Sequence, residues 1–338
     1  YKRQNKGSVG LPTRYLGATI SKYYFEDQPE KPRWALSLDE YVKAAIKDLE
    51  IKLTKANTVL SSKVTTPLSQ GYRPELDVSP ELNDEQANYY QNLIGILRWA
   101  VEIGRIDIHL PVALLSKYLV QPRVGHMEQV LHVFAFLKKY SRSRLVMDDT
   151  YPSFASIPLC RWKEFYPDAA EAIPVGAPDP RGHFMKMTCF ADADHAGDRV
   201  THRSQTGILI FLNRAPIIWY SKQQNTVETS TFGSEFIALK IGTEIVSGLR
   251  YKLRQLGIPL DGPTSVFCDN EGVVKNTTVP ESTLKKKHNA IAYHFVREAA
   301  AGGWIEIAKV SGEDNLSDVL TKPLAGPRLR DLLKKIHY

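Results

Sequence analysis

The 338-residue chain has only three cysteines, Cys160, Cys189 and Cys268, and no two of them lie at the spacing of a metal-binding pair. This scarcity excludes a disulfide-stapled scaffold and a cysteine-rich metal site, and it predicts buried free thiols in a reducing compartment. Long apolar runs are also missing, because no stretch approaches the roughly 18 apolar residues of a transmembrane helix. The sequence therefore predicts no membrane partner.

The amino-terminal segment lacks an initiating methionine and the apolar core of a secretory signal. We therefore expect the chain to be a piece of a longer polyprotein or gene product. What is present instead is a hydrophobic content of 43%, enough for a sizeable buried core in two or three domains. The formal net charge of +7 fits a polyanionic partner without requiring one.

The first 150 residues predict strands followed by helices. The segment RYLGATISKYYF reads as a strand or hairpin because it is rich in Tyr, Ile and Thr. The segment SLDEYVKAAIKDLEIKL has helical periodicity, and Ser37 with Glu40 predicts a capping box at its start. After a turn-rich linker, three more segments predict an antiparallel helical block, in which Asn83 caps the first helix and Pro122 ends the second.

The remaining residues predict a tether and then a mixed sheet. Residues 151–181 have no periodicity and are rich in Pro and Ala. Beyond them, strand and helix patterns follow in the order β-β-β-α-β-α-α-β-α, which is typical of a mixed sheet covered by helices. The predicted fold class is α+β or α/β, with a helical region ahead of the sheet. We place the predicted domains at residues 1–60, 61–150, 151–181 and 182–338.

The segment FADADHAGD places Asp192, Asp194 and Asp198 within nine residues at the end of a predicted strand. Alternation along that strand puts Cys189 on one face and Phe190 with Asp192 on the other. Three acids this close together fit both a solvated turn and a metal site. Residues elsewhere in the chain have to distinguish these two interpretations.

Three further acids occupy comparable positions. Glu235 lies on the apolar stripe of a long predicted helix, where an unpaired charge would cost several kcal/mol. Asp269 ends another predicted strand, and Asp318 lies in the first turn of the last predicted helix. Taken singly, the four acids also fit a turn, an ion pair with Lys, a helix cap and a helix-dipole position. Jointly they favour a two-metal site, because Mg²⁺ prefers oxygen ligands gathered from separate elements.

Six segments of the second half together resemble the RNase H domain of copia-type LTR-retrotransposon polyproteins. They are FADADHAGD, RSQTGILIFLNRAPIIWYSKQQ, ETSTFGSEFIALK, FCDNEGVV, KKKHNAIAYHFVRE and DNLSDVLTKPL. The upstream segments RYLGATI, YYQNLIGILRWAVEIGRIDI and LLSKYLVQPRVGHMEQVLHVFAFLKKY resemble the palm end and the helical thumb and connection of the same polyproteins' reverse transcriptase. The resemblance is colinear over nearly the whole chain.

The resemblance implies a catalytic quartet of Asp192, Glu235, Asp269 and Asp318 that holds two Mg²⁺ ions, with Mn²⁺ as an alternative. Asp192 would bridge the ions, and Asp194 would be a neighbour rather than a primary ligand. The implied activity is endonucleolytic cleavage of the RNA strand of RNA–DNA hybrids. The implied partners are that hybrid and the rest of the reverse transcriptase, in a cytoplasmic virus-like particle or in the nucleus, and dimerisation is left open.

Predicted nucleic-acid contacts rest on motif position and on one basic cluster. An A-form-like hybrid would be bound through its backbone and 2′-hydroxyl groups, with little sequence preference. The basic cluster before a helix fits phosphate binding and a solvated loop alike. The predicted nucleic-acid-binding residues are Arg203, Ser204, Lys222, Asn270, Lys285, Lys286, Lys287 and His288.

Several features depart from the family pattern. Asn289 and Ala290 stand where the family commonly has Ile and Asp, and the segment SGEDN before Asp318 has no His. The Tyr-x-Asp-Asp hairpin of a polymerase palm is missing, and VMDDT is a coincidental match, so we expect no DNA polymerisation. Two rivals are a silent nucleic-acid-binding or polymerase-accessory module and an RNase H-fold nuclease that cuts DNA. The four acids argue against the first, and the thumb-like segments argue against the second.

Overall fold

The computed structural model describes residues 10–153, 164–284 and 289–336. Two sheets organise these residues, one with four antiparallel strands and one with five strands of mixed direction. Across these three ranges, none of the helices combines the length and apolarity that crossing a bilayer requires. Cys189 and Cys268 are buried free thiols, as predicted, and Cys160 lies outside the described residues.

The amino-terminal sheet contains the predicted hairpin and two strands that were not predicted. Its strands, in spatial order, are β1 (Arg14–Tyr15), β2 (Ala18–Phe25), β3 (Gln28–Ser37) and β4 (Arg144–Met147). The sequence VMDDT therefore begins inside β4, where Val146 pairs with Ala35 of β3. It belongs to a structural edge strand, in a region where only helices were expected.

Four helices pack beside this sheet around one apolar core: α1 (Asp39–Lys55), α2 (Asp84–Glu102), α3 (His109–Leu115) and α4 (Val124–Lys139). The predicted cap of α2 is confirmed, because Asn83 and Gln86 form a reciprocal capping box. The predicted capping box of α1 is wrong: Ser37 is the last residue of β3, and Leu38 takes the cap position. The second predicted helix is also shorter than expected, since α3 gives way to a 3₁₀ turn that ends at Tyr118.

The second sheet has the predicted order of elements. Its strands are β5 (Met187–Asp194), β6 (Gln205–Leu212), β7 (Ala215–Gln223), β8 (Thr264–Cys268) and β9 (Ile305–Lys309), in spatial order β7-β6-β5-β8-β9. Strands β5, β6 and β7 are antiparallel, whereas β8 and β9 run parallel to β5. The helices are α5 (Thr231–Gln255), α6 (Glu271–Thr278), α7 (Ala290–Ala301) and α8 (Gly326–Leu333). The fold is a mixed α/β arrangement, as predicted.

The segment NLSDVLTKPL forms a 3₁₀ turn over Leu316–Leu320 rather than the start of an α-helix. Pro323 disfavours α conformation at the residue before it, so α8 begins only at Gly326. The turn packs against β6, on the opposite side of the sheet from α5.

Alternation along β5 decides which side chains reach each side of the sheet. Met187, Cys189 and Ala191 join the core beneath α5, and Phe190 joins the core beneath the 3₁₀ turn. This confirms the predicted faces. Asp192 lies two residues after Phe190 and therefore on the same face of β5, and it is fully buried.

Contacts join the amino-terminal region to the second sheet. The indole Nε1 of Trp219 on β7 donates to the carbonyl of Val101 on α2 at 2.8 Å. Arg73 donates to the carbonyl of Gly197, just beyond β5, at 3.0 Å. The described part of the predicted tether is anchored too, since Glu171 accepts hydrogen bonds from Arg250 on α5.

Candidate carboxylate-rich active site

Asp192 lies at the centre of the candidate site, in β5 opposite Gly207 of β6. The sequence predicted that this strand ends at Asp192, but β5 continues to Asp194. The Asp192 carboxylate accepts a hydrogen bond from the Thr321 hydroxyl. Its Oδ2 atom lies 3.2 Å from the ammonium of Lys322. Both partners come from the residues that directly follow the 3₁₀ turn.

Glu235 reaches the same site from the first turns of α5, which Ser230 caps by accepting a bond from the Gly233 amide. Glu235 is 5% exposed, and its Oε2 atom has no hydrogen-bond partner among the described residues. Burial, reinforced by the charges of Asp192 and Asp269, raises the pKa of Glu235 to about 9. An orphaned carboxyl oxygen of this kind fits a cation ligand, because burial without a partner is otherwise costly.

Asp269 directly follows β8, where the sequence offered a helix cap as the alternative role. The cap of α6 is Asn270 instead, whose side chain accepts from the amides of Gly272 and Val273. The Asp269 carboxylate can therefore face the other acids. Burial and the charge of Asp192 raise its pKa.

Asp318 lies in the 3₁₀ turn, on the side of the sheet opposite α5, the helix that carries Glu235. Asn315 begins the turn and also donates from Nδ2 to the carbonyl of Ala191 on β5 at 3.2 Å, which ties the turn to the strand. The Oδ1 atom of Asp318 lies 3.0 Å from Lys322 Nζ. Burial and the charge of Asp192 raise the pKa of Asp318 to about 6, against the opposing charge of Lys322.

The four acids converge in two overlapping groups. Ligand atoms of Asp192, Asp269 and Asp318 all lie within 4.8 Å of one another, and so do those of Glu235, Cys268 and Asp269. Hard oxygen ligands from four separate elements suit a divalent cation such as Mg²⁺ or Mn²⁺. The residues present therefore fit the metal that the resemblance implies.

Lys322 and Thr321 are the site residues that sequence reasoning missed. Burial alone would lower the pKa of Lys322, but the carboxylates of Asp192 and Asp318 raise it overall. The available signal was spacing: Lys322 lies four residues after Asp318, a distance that brings side chains together on one helical face.

The other two aspartates of FADADHAGD take different roles. Burial raises the pKa of Asp194, which lies beside the cluster and feels the charge of Asp192. Asp198 instead holds its loop, since it accepts bonds from the amides of Val200 and Thr201 and from Gln223.

The predicted nucleic-acid residues fall into four groups. Arg203 and Lys222 are exposed and line a cavity of about 670 Å³, together with Arg98 and Lys117 from the amino-terminal region. Ser204 is fully buried, and its hydroxyl accepts from the Ala196 amide, so it supports the loop after β5. Asn270 caps α6, as described above. The basic cluster of residues 285–288 lies outside the described residues.

Comparison with known proteins identifies relatives over most of the chain. It is 25% identical over 284 residues to the retrovirus-related Pol polyprotein from transposon RE1 of Arabidopsis thaliana, covering 84% of this chain and 17% of that protein. It is 25% identical over 319 residues to the corresponding polyprotein from transposon TNT 1-94 of Nicotiana tabacum, covering 93% of this chain and 20% of that protein. The chain is thus homologous to copia-type transposon Pol polyproteins and spans about a fifth of their length.

Among solved structures, the chain is similar to the amino-terminal RNase H domain of rv2228c from Mycobacterium tuberculosis. The sequences are 14% identical, the match covers 44% of this chain and 97% of that chain, and the TM-score is 0.32. No known family model matches the chain.

Proposed function

We propose that this homologue of transposon Pol polyproteins is an RNase H-type endonuclease that cleaves the RNA strand of RNA–DNA hybrids. One observation carries the proposal: Asp192, Glu235, Asp269 and Asp318 come from four separate elements to one buried site, where a Glu235 oxygen has no partner among the described residues. One lysine, Lys322, offsets only part of this acidic charge, and burying the rest is unfavourable for folding, which argues for a cationic ligand.

The four acids would hold the Mg²⁺ or Mn²⁺ ions. When bound, such ions polarise a phosphodiester and activate water for in-line displacement. Thr321 orients the Asp192 carboxylate through its hydroxyl. Asn315 fixes the turn that carries Asp318 against β5, so the protein holds the carboxylates in place before substrate arrives.

The neighbouring cavity offers a path for the nucleic-acid backbone. Arg203 and Lys222, with Arg98 and Lys117, give it a basic lining. A smaller adjoining pocket shares Lys117 and Arg203 with this cavity and extends to Asp194 and Thr321. The basic surface thus leads towards the acids, as a phosphate backbone would require.

The homology also supports a proposed setting. Residues 1–60 would be a palm remnant with the first thumb helix, residues 61–150 the thumb and connection, and residues 182–338 the RNase H domain. The chain would work with the rest of a Pol polyprotein, in a virus-like particle or in the nucleus.

Hybrid cleavage by the purified chain tests this function. With labelled substrates in Mg²⁺ and in Mn²⁺, we expect cuts in the RNA strand of a hybrid and none in double-stranded DNA or single-stranded RNA. Asp269→Asn should abolish these cuts, whereas Asp331→Asn, which changes an exposed aspartate on α8, should not. Hybrid binding without cleavage in either metal would establish the silent binding module, and cleavage of double-stranded DNA would establish the other nuclease class.

The double substitution Arg203→Ala and Lys222→Ala tests the substrate path. We expect weaker hybrid binding and a salt dependence of log Kd that is shallower by about one unit for each lost phosphate contact. Fluorescence anisotropy at several salt concentrations measures both quantities. Lys43→Ala is the control, because Lys43 is an exposed lysine on α1 outside the cavity lining. Unchanged affinity and slope in the double variant would place the hybrid elsewhere.

A further inference from the structure

Positive charge is distributed unevenly across the acid cluster. On one side, Lys322 Nζ lies 3.0 Å from Asp318 Oδ1 and 3.2 Å from Asp192 Oδ2. On the other side, Glu235 Oε2 is buried and meets no hydrogen-bond donor within the described ranges. The two sides of the site are therefore different for an incoming cation.

We propose that the Lys322 ammonium occupies the cation position between Asp192 and Asp318, so that the substrate-free chain binds a single divalent ion, on the side of Glu235 and Asp269. The inference rests on the proposed function only for the premise that the cluster binds divalent metal. A second ion binds when Lys322 leaves.

Ligand geometry makes the two cations mutually exclusive. Mg²⁺ binds carboxylate oxygens at about 2.1 Å and requires close to octahedral coordination. The Lys322 nitrogen lies 3.0 Å from the Asp318 carboxylate and 3.2 Å from the Asp192 carboxylate. An ion held by both carboxylates would therefore lie in the space that the ammonium fills. Like charges at this separation also repel strongly in a partly buried site.

Lys322 has a route out of the cluster. Its side chain is 37% exposed, whereas the Asp192 side chain is fully buried. An entering phosphate group offers the ammonium another anionic partner near its present position. The hybrid and the second ion are therefore expected to bind cooperatively, each favouring the conformation in which Lys322 has left Asp192.

Counting bound Mn²⁺ tests the inference without measuring activity. The free ion is quantified by electron paramagnetic resonance while each protein, without nucleic acid, is titrated. The wild-type chain should bind a single ion, and Lys322→Met should gain a second through an affinity increase of at least about tenfold at that position. Lys322→Arg keeps the charge and should bind a single ion. Lys335→Met is the matched control, because Lys335 is an exposed lysine paired with Asp314.

Two results would overturn the inference: a wild-type chain that binds two ions with similar affinity, or a Lys322→Met variant that stays at one. Circular dichroism checks folding, and Lys322→Gln, which keeps a polar side chain, replaces Lys322→Met if that variant does not fold. The hybrid-cleavage assay separates the two proposals. A chain that follows the expected ion counts but does not cut hybrid upholds this inference and refutes the proposed activity. A chain that cuts hybrid but binds two ions in the absence of nucleic acid upholds the proposed activity and refutes this inference.

Discussion

Glu235→Gln is expected to abolish hybrid cleavage while leaving the metal-free fold almost as stable as the wild type at neutral pH. The pKa of Glu235 is raised to about 9, mainly by burial, so the side chain is already largely neutral there without metal. Glutamine has the same shape and no charge to bury. Glutamine is a poor ligand for Mg²⁺, however. Losing several kcal/mol of metal-dependent stabilisation of the transition state corresponds to a rate loss of about 10²- to 10⁴-fold.

The same substitution should change how stability depends on pH in the presence of a chelator. The ordinary pKa of 4.5 applies to unfolded Glu235, and the folded value of about 9 means that the folded chain retains this proton longer. Its contribution to stability is therefore fully present below pH 4.5 and is lost as pH rises towards 9, at up to about 1.4 kcal/mol per pH unit. Asp318 contributes with the same sign between 3.8 and about 6.

Denaturant unfolding from pH 5 to 9 in chelator measures this slope. We expect the wild-type chain to lose stability as pH rises, Glu235→Gln to lose less, and Mn²⁺ to restore only the wild type at high pH. Glu244→Gln is the control, because Glu244 lies on the same helix but is exposed and pairs with Lys240. Glu244→Gln should match the wild type both in hybrid cleavage and in the slope of stability against pH. A wild-type profile that is flat in this range, or cleavage retained by Glu235→Gln, would contradict the assigned environment.

Three of the four acids could be placed from the sequence by local patterns, whereas Asp318 was expected in the first turn of an α-helix and lies in a 3₁₀ turn. Asp192 lies on an alternating strand, Asp269 follows a short buried strand, and Glu235 lies on the apolar stripe of α5. The parallel strands β5 and β8 then bring their carboxyl ends together. The order of elements in the second sheet was predictable for the same reason, since its elements are long and strongly patterned.

Long-range pairing explains what the sequence did not reveal. Strand β4 is short and is stabilised by pairing with β3, more than a hundred residues earlier in the chain. Strand β3 contains Pro29 and Pro32, which argue against a central strand. Both prolines precede the stretch from Trp34 to Ser37 that pairs with β4, so their missing N–H groups interrupt no bond to that strand.

Lys322 was missed for a different reason. Its role depends on contact with Asp192, a residue 130 positions away, and no local pattern encodes that contact. A lysine after a turn usually reads as a solvated side chain. Only the packing of the 3₁₀ turn on β6 brings the ammonium to the cluster.

That packing makes Gly207→Ala the second substitution with a large expected effect. Gly207 on β6 pairs with Asp192 and lies directly beneath the 3₁₀ turn. A Cβ at this position would lie 2.6 Å from Thr321 Cγ2, 2.9 Å from Leu320 Cβ and 2.9 Å from the Ser317 carbonyl oxygen. The last two atoms belong to a rigid core and to the backbone, so the turn has to move as a unit.

Movement of the turn displaces Asp318, Thr321 and Lys322 together, because all three are fixed to it. We expect a stability loss of about 1–3 kcal/mol from overpacking. We also expect a loss of hybrid cleavage of about 10²-fold, since misplacement by roughly 1 Å has this cost at catalytic groups. Thermal unfolding and single-turnover cleavage at saturating metal measure the two effects separately.

Gly248→Ala supplies the matched control for this substitution. Gly248 lies in α5, and an alanine Cβ there would meet no atom of a neighbouring element within 4 Å. Alanine should therefore stabilise the helix by up to about 1 kcal/mol and leave cleavage unchanged. If Gly207→Ala retained full cleavage, the turn would not need its close contact with β6 to place Asp318. If both variants lost cleavage equally, the loss would reflect a general sensitivity to substitution and not the position of the turn.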